Sequence, residues 1–235
     1  MTKVFFVFAH PDDETFSSAG TIASLTKNGV EVKLITATRG EAGMTGGVCS
    51  EKELGKVREK ELKNAAKILG ISQIFFLDYL DFTLKKVPVK ELSEKILKIL
   101  KKETPDIIIT FNEEGGSKHP DHIQISKAAT KAFDDYSSSV KKGVKLYYTA
   151  SPQSLLKKLE KEDTAYTAFG KIIGTPDNEI TTRIDISKTV DKKVSAIKCH
   201  LTQKSDWERY LKRTKHPEFK FENFKLIKET SIIQK

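Results

Sequence analysis

Apolar positions fall into two alternating patterns along the first 150 residues. Short unbroken runs read as strands buried on both faces, and stripes at helical spacing follow them. The first run, Val4 to Ala9, ends in His10-Pro11-Asp12-Asp13-Glu14. A helix is predicted from Thr15 to Asn28, with Gly29 as its stop, and a second strand from Val30 to Ala37. The stretch Thr38 to Gly47 carries four glycines and is a loop. Ser50 and Glu53 form a capping box for a helix that runs to Leu69, before Gly70. Further strands are predicted at Gln73 to Asp78, Asp106 to Phe111 and Val144 to Thr149. Helices are predicted from Pro88 to Lys102 and from Pro120 to Asp134.

Strands alternating with helices imply right-handed parallel crossovers. The expected fold is α/β: a Rossmann-like three-layer α/β/α arrangement with a mainly parallel sheet in strand order 3-2-1-4-5, plus C-terminal additions. Beyond Ala150 the pattern weakens. Glu179 to Ile186 reads as a strand, Ser187 to Leu201 and Ser205 to Arg213 as helices, and Pro217 to the end as strand or coil. With no linker or internal repeat, residues 1–235 are expected to form one domain.

Composition narrows the class. The 38% apolar and 31% charged residues are those of a water-soluble globular chain, and no apolar run approaches the roughly 20 residues that span a bilayer. With no signal peptide and two cysteines, Cys49 and Cys199, the chain is expected to be cytoplasmic. Its net charge of +9 raises the question of nucleic acid. The lysines, however, are dispersed on outer helix faces: Lys90, Lys95, Lys98, Lys101 and Lys102 flank the stripe Val89, Leu92, Ile96, Ile99. A solvated surface is the expectation, with no nucleic-acid partner.

The chemistry lies in two histidine boxes. His10-Pro11-Asp12-Asp13-Glu14 follows the first strand, and His119-Pro120-Asp121-His122 follows the fourth. In the expected strand order these two strands are neighbours, so both boxes open into the crevice where strand order reverses. Three adjacent carboxylates at the edge of a core repel one another and want a cation. A hydrolytic zinc site takes three nitrogen or oxygen ligands and keeps one position open. His10 and Asp13, three apart, can converge, and Pro120 at the first helical position leaves His119 as the cap and His122 inside the first turn. Ligands His10, Asp13 and His122 leave Asp12 free as a base, and His119 free to assist the oxyanion or the leaving group.

The two boxes resemble the signatures of the PIG-L/LmbE-like zinc deacetylases, which remove the acetyl group from N-acetylglucosamine conjugates. The resemblance extends through Thr38-Arg39-Gly40-Glu41, the Arg58-to-Gly70 helix and Lys198-x-His200-x-x-Gln203. It implies one Zn2+ per chain (another divalent metal such as Fe2+ would fit the same ligands) held by His10, Asp13 and His122. It implies Asp12 as general base and His119 as the group assisting the tetrahedral intermediate. Asp121 would orient His119, or serve only as a helix-start acid. Arg39 and Asp78 would bind substrate at the sugar rim, or form a plain surface salt bridge. Glu14 is expected to support the ligands from behind, and His200 reads as a core histidine. Members acting on mycothiol-type substrates carry a tyrosine two residues before the first histidine of the second box, where this chain has Ser117. This departure counts against a mycothiol-type substrate; a small N-acetylglucosamine conjugate is expected, with bacillithiol-type and chitooligosaccharide substrates open, no membrane span, and a homo-oligomer left open. Rival readings are a two-metal phosphoesterase and a non-catalytic metal- or nucleic-acid-binding protein.

Overall fold

The computed structural model describes residues 1–162, 166–167 and 169–231. Strand β1 (Lys3–Phe8) pairs in parallel with β2 (Glu31–Thr36) on one side and with β4 (Ile107–Thr110) on the other. β2 continues to β3 (Gln73–Phe76), and β4 to β5 (Lys145–Ala150), all parallel. Phe5, Phe6 and Phe8 are fully buried, as a strand covered on both faces requires. The expected order 3-2-1-4-5 is the order found.

The crossover helices begin and end where the chain's capping residues place them. Helix α1 (Asp13–Lys27) carries Asp13 and Glu14 in its first turn and is followed by Gly29 at φ 79°. The capping box of Ser50 and Glu53 opens a single 3-10 turn, and helix α2 (Leu54–Leu69) follows, closed by left-handed Gly70. Helix α3 (Val89–Glu103) ends on Thr104, which takes the left-handed conformation usually left to glycine. Helix α4 (Pro120–Ser137) starts at the second histidine box, with Pro120 in its first turn.

The C-terminal part departs from the expected reading. Helix α5 (Gln153–Glu160), missed in the sequence, is followed by a small hairpin of β6 (Tyr166–Thr167) and β7 (Gly170–Lys171). The expected strand at Glu179 to Ile186 is the shorter β8 (Thr182–Asp185). The expected helix at Ser187 to Leu201 is α6 (Val190–Ile197), and α7 (Lys204–Leu211) follows. Strand β9 (Phe221–Glu229) lies antiparallel between β5 and β8, completing the order β3-β2-β1-β4-β5-β9-β8. Of the stretch expected as strand or coil after Pro217, residues 232–235 lie outside the described residues.

One buried ion pair ties this added part to α1. Glu222 of β9 accepts from the backbone N–H groups of Gly20 (3.0 Å) and Thr21 (2.7 Å), in the middle of α1. Its partner Lys193, on α6, lies 2.7 Å away and donates to the Phe16 carbonyl, which also accepts from the Tyr210 hydroxyl. Phe16 C=O and Gly20 N–H are one helical turn apart and would pair in a regular helix. The ion pair thus touches both ends of that turn.

Candidate active site

β1 and β4 deliver the two boxes to one place, as their adjacency predicts. The floor of a cavity of about 740 Å³ is formed by His10, Asp12, Asp13, His119 and His122. His10 Nδ1 lies 3.0 Å from His122 Nε2, and His122 Nε2 lies 3.2 Å from Asp13 Oδ1. His10 Nδ1 and Asp13 Oδ2 are 3.7 Å apart. A tetrahedral ion with bonds of about 2.0–2.1 Å separates its donor atoms by about 3.3–3.4 Å. The separations of His122 Nε2 from His10 Nδ1 and from Asp13 Oδ1 are close to that spacing, and the 3.7 Å separation runs to the other Asp13 oxygen.

The protons on the two rings are assigned by their outer partners. His122 Nδ1 is 3.0 Å from the Gly115 carbonyl, which can only accept, so this nitrogen carries the hydrogen and leaves the Nε2 lone pair free. His122 also stacks flat on Phe111, with ring centroids 4.3 Å apart. Gly115, at φ 66°, admits this contact: a Cβ there would come within 2.7 Å of the His122 Cβ. His10 Nε2 faces Asp81 Oδ1 at 2.9 Å and Asp121 Oδ2 at 3.5 Å. His122 Nε2 therefore turns its lone pair toward His10 Nδ1 and Asp13, a place where a cation, or a proton on His10, is favoured.

The electrostatics agree. Burial disfavours charge on the His10 ring, yet the Asp121, Asp81 and Asp13 carboxylates outweigh it and push its pKa up to about 10. Burial likewise opposes the Asp13 carboxylate, but His122 and His10 hold it far below the usual range. Asp13 Oδ2 also accepts from the backbone N–H groups of Ala9 and His10. A second trio, His10, Asp81 and Asp121, could take an ion on the outer side of His10. Asp121 is fully buried, while His10 and Asp81 both line the cavity.

Asp12 and His119 stand beside the trio, and His119 is near enough to His10 and His122 to offer a ligand atom as well. Asp12 adopts φ 108°, ψ −27°, a backbone conformation that costs about 1–3 kcal/mol in a residue with a side chain. The buried Arg58 guanidinium donates to its carboxylate (3.1 Å), to the Pro11 carbonyl and to the Gly40 carbonyl. Gly40 and Gly43 leave the room that this guanidinium occupies. Burial raises the Asp12 carboxyl, Arg58 pulls it down and Asp13 adds to the rise, leaving its pKa at about 7. His119 caps α4: its Nδ1 accepts from the Asp121 N–H at 3.1 Å, so Nε2 carries the ring proton. Burial and the nearby His10 and His122 lower its pKa to about 4. Phe82 and Phe169 set their edges against this ring, with centroids 5.0 and 4.5 Å away.

Three further placements bear on the sequence reading. Asp121 meets His119 through its main chain, while its carboxylate accepts from the Phe82 N–H (2.7 Å) and faces His10. Arg39 pairs with Asp78 and Glu59, and neither Arg39 nor Asp78 lines the cavity; Asp78 turns outward on a left-handed residue. Arg58 and Asp81 occupy that side of the cavity instead. His200, read as a core histidine, reaches the site from behind: its Nε2 is 3.1 Å from Glu14 Oε1. The only signal for it in the sequence is its place in Lys198-x-His200-x-x-Gln203.

Residues 5–133, just over half of the chain, match the family described as PIG-L: GlcNAc-PI de-N-acetylase. The chain belongs to this family. Membership places it among the deacetylases, which hydrolyse an acetamide, and bears out the resemblance carried by the two boxes. A 1D-myo-inositol 2-acetamido-2-deoxy-alpha-D-glucopyranoside deacetylase from Thermobifida fusca (strain YX) is 32% identical, over 86% of this chain and 83% of the relative. A deacetylase of the same description from Saccharomonospora viridis is 31% identical, over 85% of this chain and 84% of the relative. Among solved structures, the N,N'-diacetylchitobiose deacetylase from Pyrococcus horikoshii superposes with a TM-score of 0.72 at 25% identity, covering 96% of this chain and 84% of that one. The 4-carboxy-2-hydroxymuconate hydratase from Pseudomonas putida also has a TM-score of 0.72, at 19% identity, and shares the fold alone. The chain thus combines the Rossmann-like sheet with the paired boxes. No helix among the described residues is long and apolar enough to cross a membrane.

Proposed function

We propose that this chain hydrolyses the N-acetyl group of an N-acetylglucosamine conjugate, releasing acetate and the free amine, with one zinc ion held by His10, Asp13 and His122. The observation that carries this reading is the convergence of His10 Nδ1, His122 Nε2 and the Asp13 carboxylate at the cavity floor, with Asp12 adjacent. Both the inositol conjugate and the chitobiose named for the relatives carry a 2-acetamido sugar, which is the chemistry common to them.

When bound, the ion supplies Lewis acidity, lowering the pKa of a water and polarising the acetamide carbonyl. Asp12, with its pKa raised towards neutrality, takes a proton from the attacking water as the new C–O bond forms. His119 is held neutral by the hydrogen bond its Nδ1 accepts from Asp121, so its Nε2–H donates to the developing oxyanion. The proton held by Asp12 passes to the departing nitrogen as the C–N bond breaks, and the base is regenerated. Of the two roles open to His119 in the sequence, this geometry favours the oxyanion. The chain would work in the cytoplasm, where its two cysteines stay free.

The test is acetate release by zinc-loaded protein from a panel of N-acetylglucosamine conjugates, including inositol and chitobiose members, together with metal stoichiometry. One metal per chain and release from at least one conjugate is the expected result. Two metals with phosphoester hydrolysis, or one metal with no acetate from any conjugate, would overturn it.

A further inference from the structure

Glu14, next in the chain after Asp12 and Asp13, is fully buried, although a first-turn acid has no need to be. Its two oxygens are used in opposite directions. Oε2 accepts from the Asp12 backbone N–H at 3.1 Å, and Oε1 meets His200 Nε2 at 3.1 Å. His200 comes from 186 residues further along the chain and is itself 1% exposed. Its Nδ1 meets no partner among the described residues, so this ring faces Glu14.

The segment carrying His200 is anchored from several sides. Trp207 Nε1 donates to the His200 carbonyl at 3.0 Å. Thr202 donates to Glu61 of α2 through both its backbone N–H (2.8 Å) and its hydroxyl (2.6 Å). Gln203 Nε2 donates to the Met44 carbonyl in the glycine-rich loop. The His200 ring is therefore a fixed post, not a loose contact.

We propose that His200 and Glu14 act as a positioning pair that holds Asp12 in place for its role as base. The proposal rests on the deacetylase reading above. The chain of contacts ends on the main chain of Asp12, where the backbone sits at φ 108°. Arg58 grips the carboxylate of Asp12 from one side, and Glu14 grips its peptide N–H from the other. Without His200, the Glu14 carboxylate keeps one N–H and two like-charged neighbours in a buried place. It then leaves its position, and the Asp12 backbone relaxes out of the left-handed region. His200 and Glu14 touch none of the three proposed ligand atoms directly, so metal binding persists while the base loses its aim.

The experiment compares His200→Phe, which fills the space without a donor, with His200→Gln, whose amide can still donate to Glu14. In His200→Phe we expect kcat to fall about 10–100-fold, the usual scale for lost supporting contacts. KM should stay within about twofold and zinc content should be unchanged. His200→Gln should recover most of kcat even if its melting temperature is lower than that of wild type. In an Asp12→Asn background, His200→Phe should cause no further loss, because the two changes act through one group. A crystal structure of His200→Phe should show Asp12 outside the positive-φ region. Should His200→Phe fail to fold, His200→Asn carries the same expectation, since its shorter side chain stops short of Glu14. Unchanged kcat in the folded variant, or full multiplication of the two losses in the double variant, would overturn the proposal. If wild type released no acetate, the functional reading would fall, while Asp12 retaining its positive φ in the variant would separately overturn the positioning role.

Discussion

His10 and His122, two of the proposed ligands, show how a buried ring is oriented by what meets its outer nitrogen. Each has its outer nitrogen occupied, by carboxylates for His10 and by a carbonyl for His122. Asp13→Ala and His122→Ala should each lose metal and activity together, measured as zinc per chain and acetate release. Asp12→Asn should keep its zinc and lose about 10²–10⁴-fold in kcat, the scale of a general base. His119→Ala should also keep its zinc but turn over slowly. Metal loss there comparable to that in His122→Ala would make His119 a ligand. Gly115→Ala is a subtler probe: the added methyl would collide with His122, so zinc affinity should fall about tenfold or more with the three ligands intact.

Two elements carry strain or charge that substitution can reveal. The Lys193–Glu222 pair is buried on both sides, and Glu222 holds the lysine well above its ordinary pKa against burial. Removing one partner leaves the other charge uncompensated, so Lys193→Ala should cost about 3–5 kcal/mol in urea unfolding. A cost below about 1 kcal/mol would show that water reaches Glu222. At the end of α3, Thr104 sits at φ 52°, where a β-branched residue is penalised. Thr104→Gly should raise stability by about 1 kcal/mol, since it relieves that penalty at a helix stop.

Across the molecule, labour is divided between the two parts of the chain. The proposed ligands, Asp12 and His119 all lie within the stretch that matches the family. Leu155, Ile173, Tyr210 and Phe219, which wall the same cavity, come from beyond it. That later part also supplies Lys193, His200 and Glu222, which grip α1. A chain cut after Ala150 should therefore lose its cooperative thermal transition, although every proposed ligand remains. It would leave Glu14 without His200 and expose β5 as a sheet edge.

Much of this was legible without coordinates. Short apolar runs followed by capping and turn residues are local patterns, so five parallel strands and the positions of both boxes could be read directly. The crevice followed from the rule that neighbouring strands open their carboxyl ends together. Tertiary structure decided what depends on distant partners. Only the fold shows what meets the outer nitrogens of His10 and His122, the Asp81 carboxylate for one and the Gly115 carbonyl for the other. Asp81 stands against His10 where Asp78 was expected near substrate, because the turn between them points one acid inward and the other toward Arg39. The antiparallel β9 and the reach of His200 to Glu14 have no local signature at all. They are set by packing between residues far apart in the chain, and no period or cap encodes such a meeting.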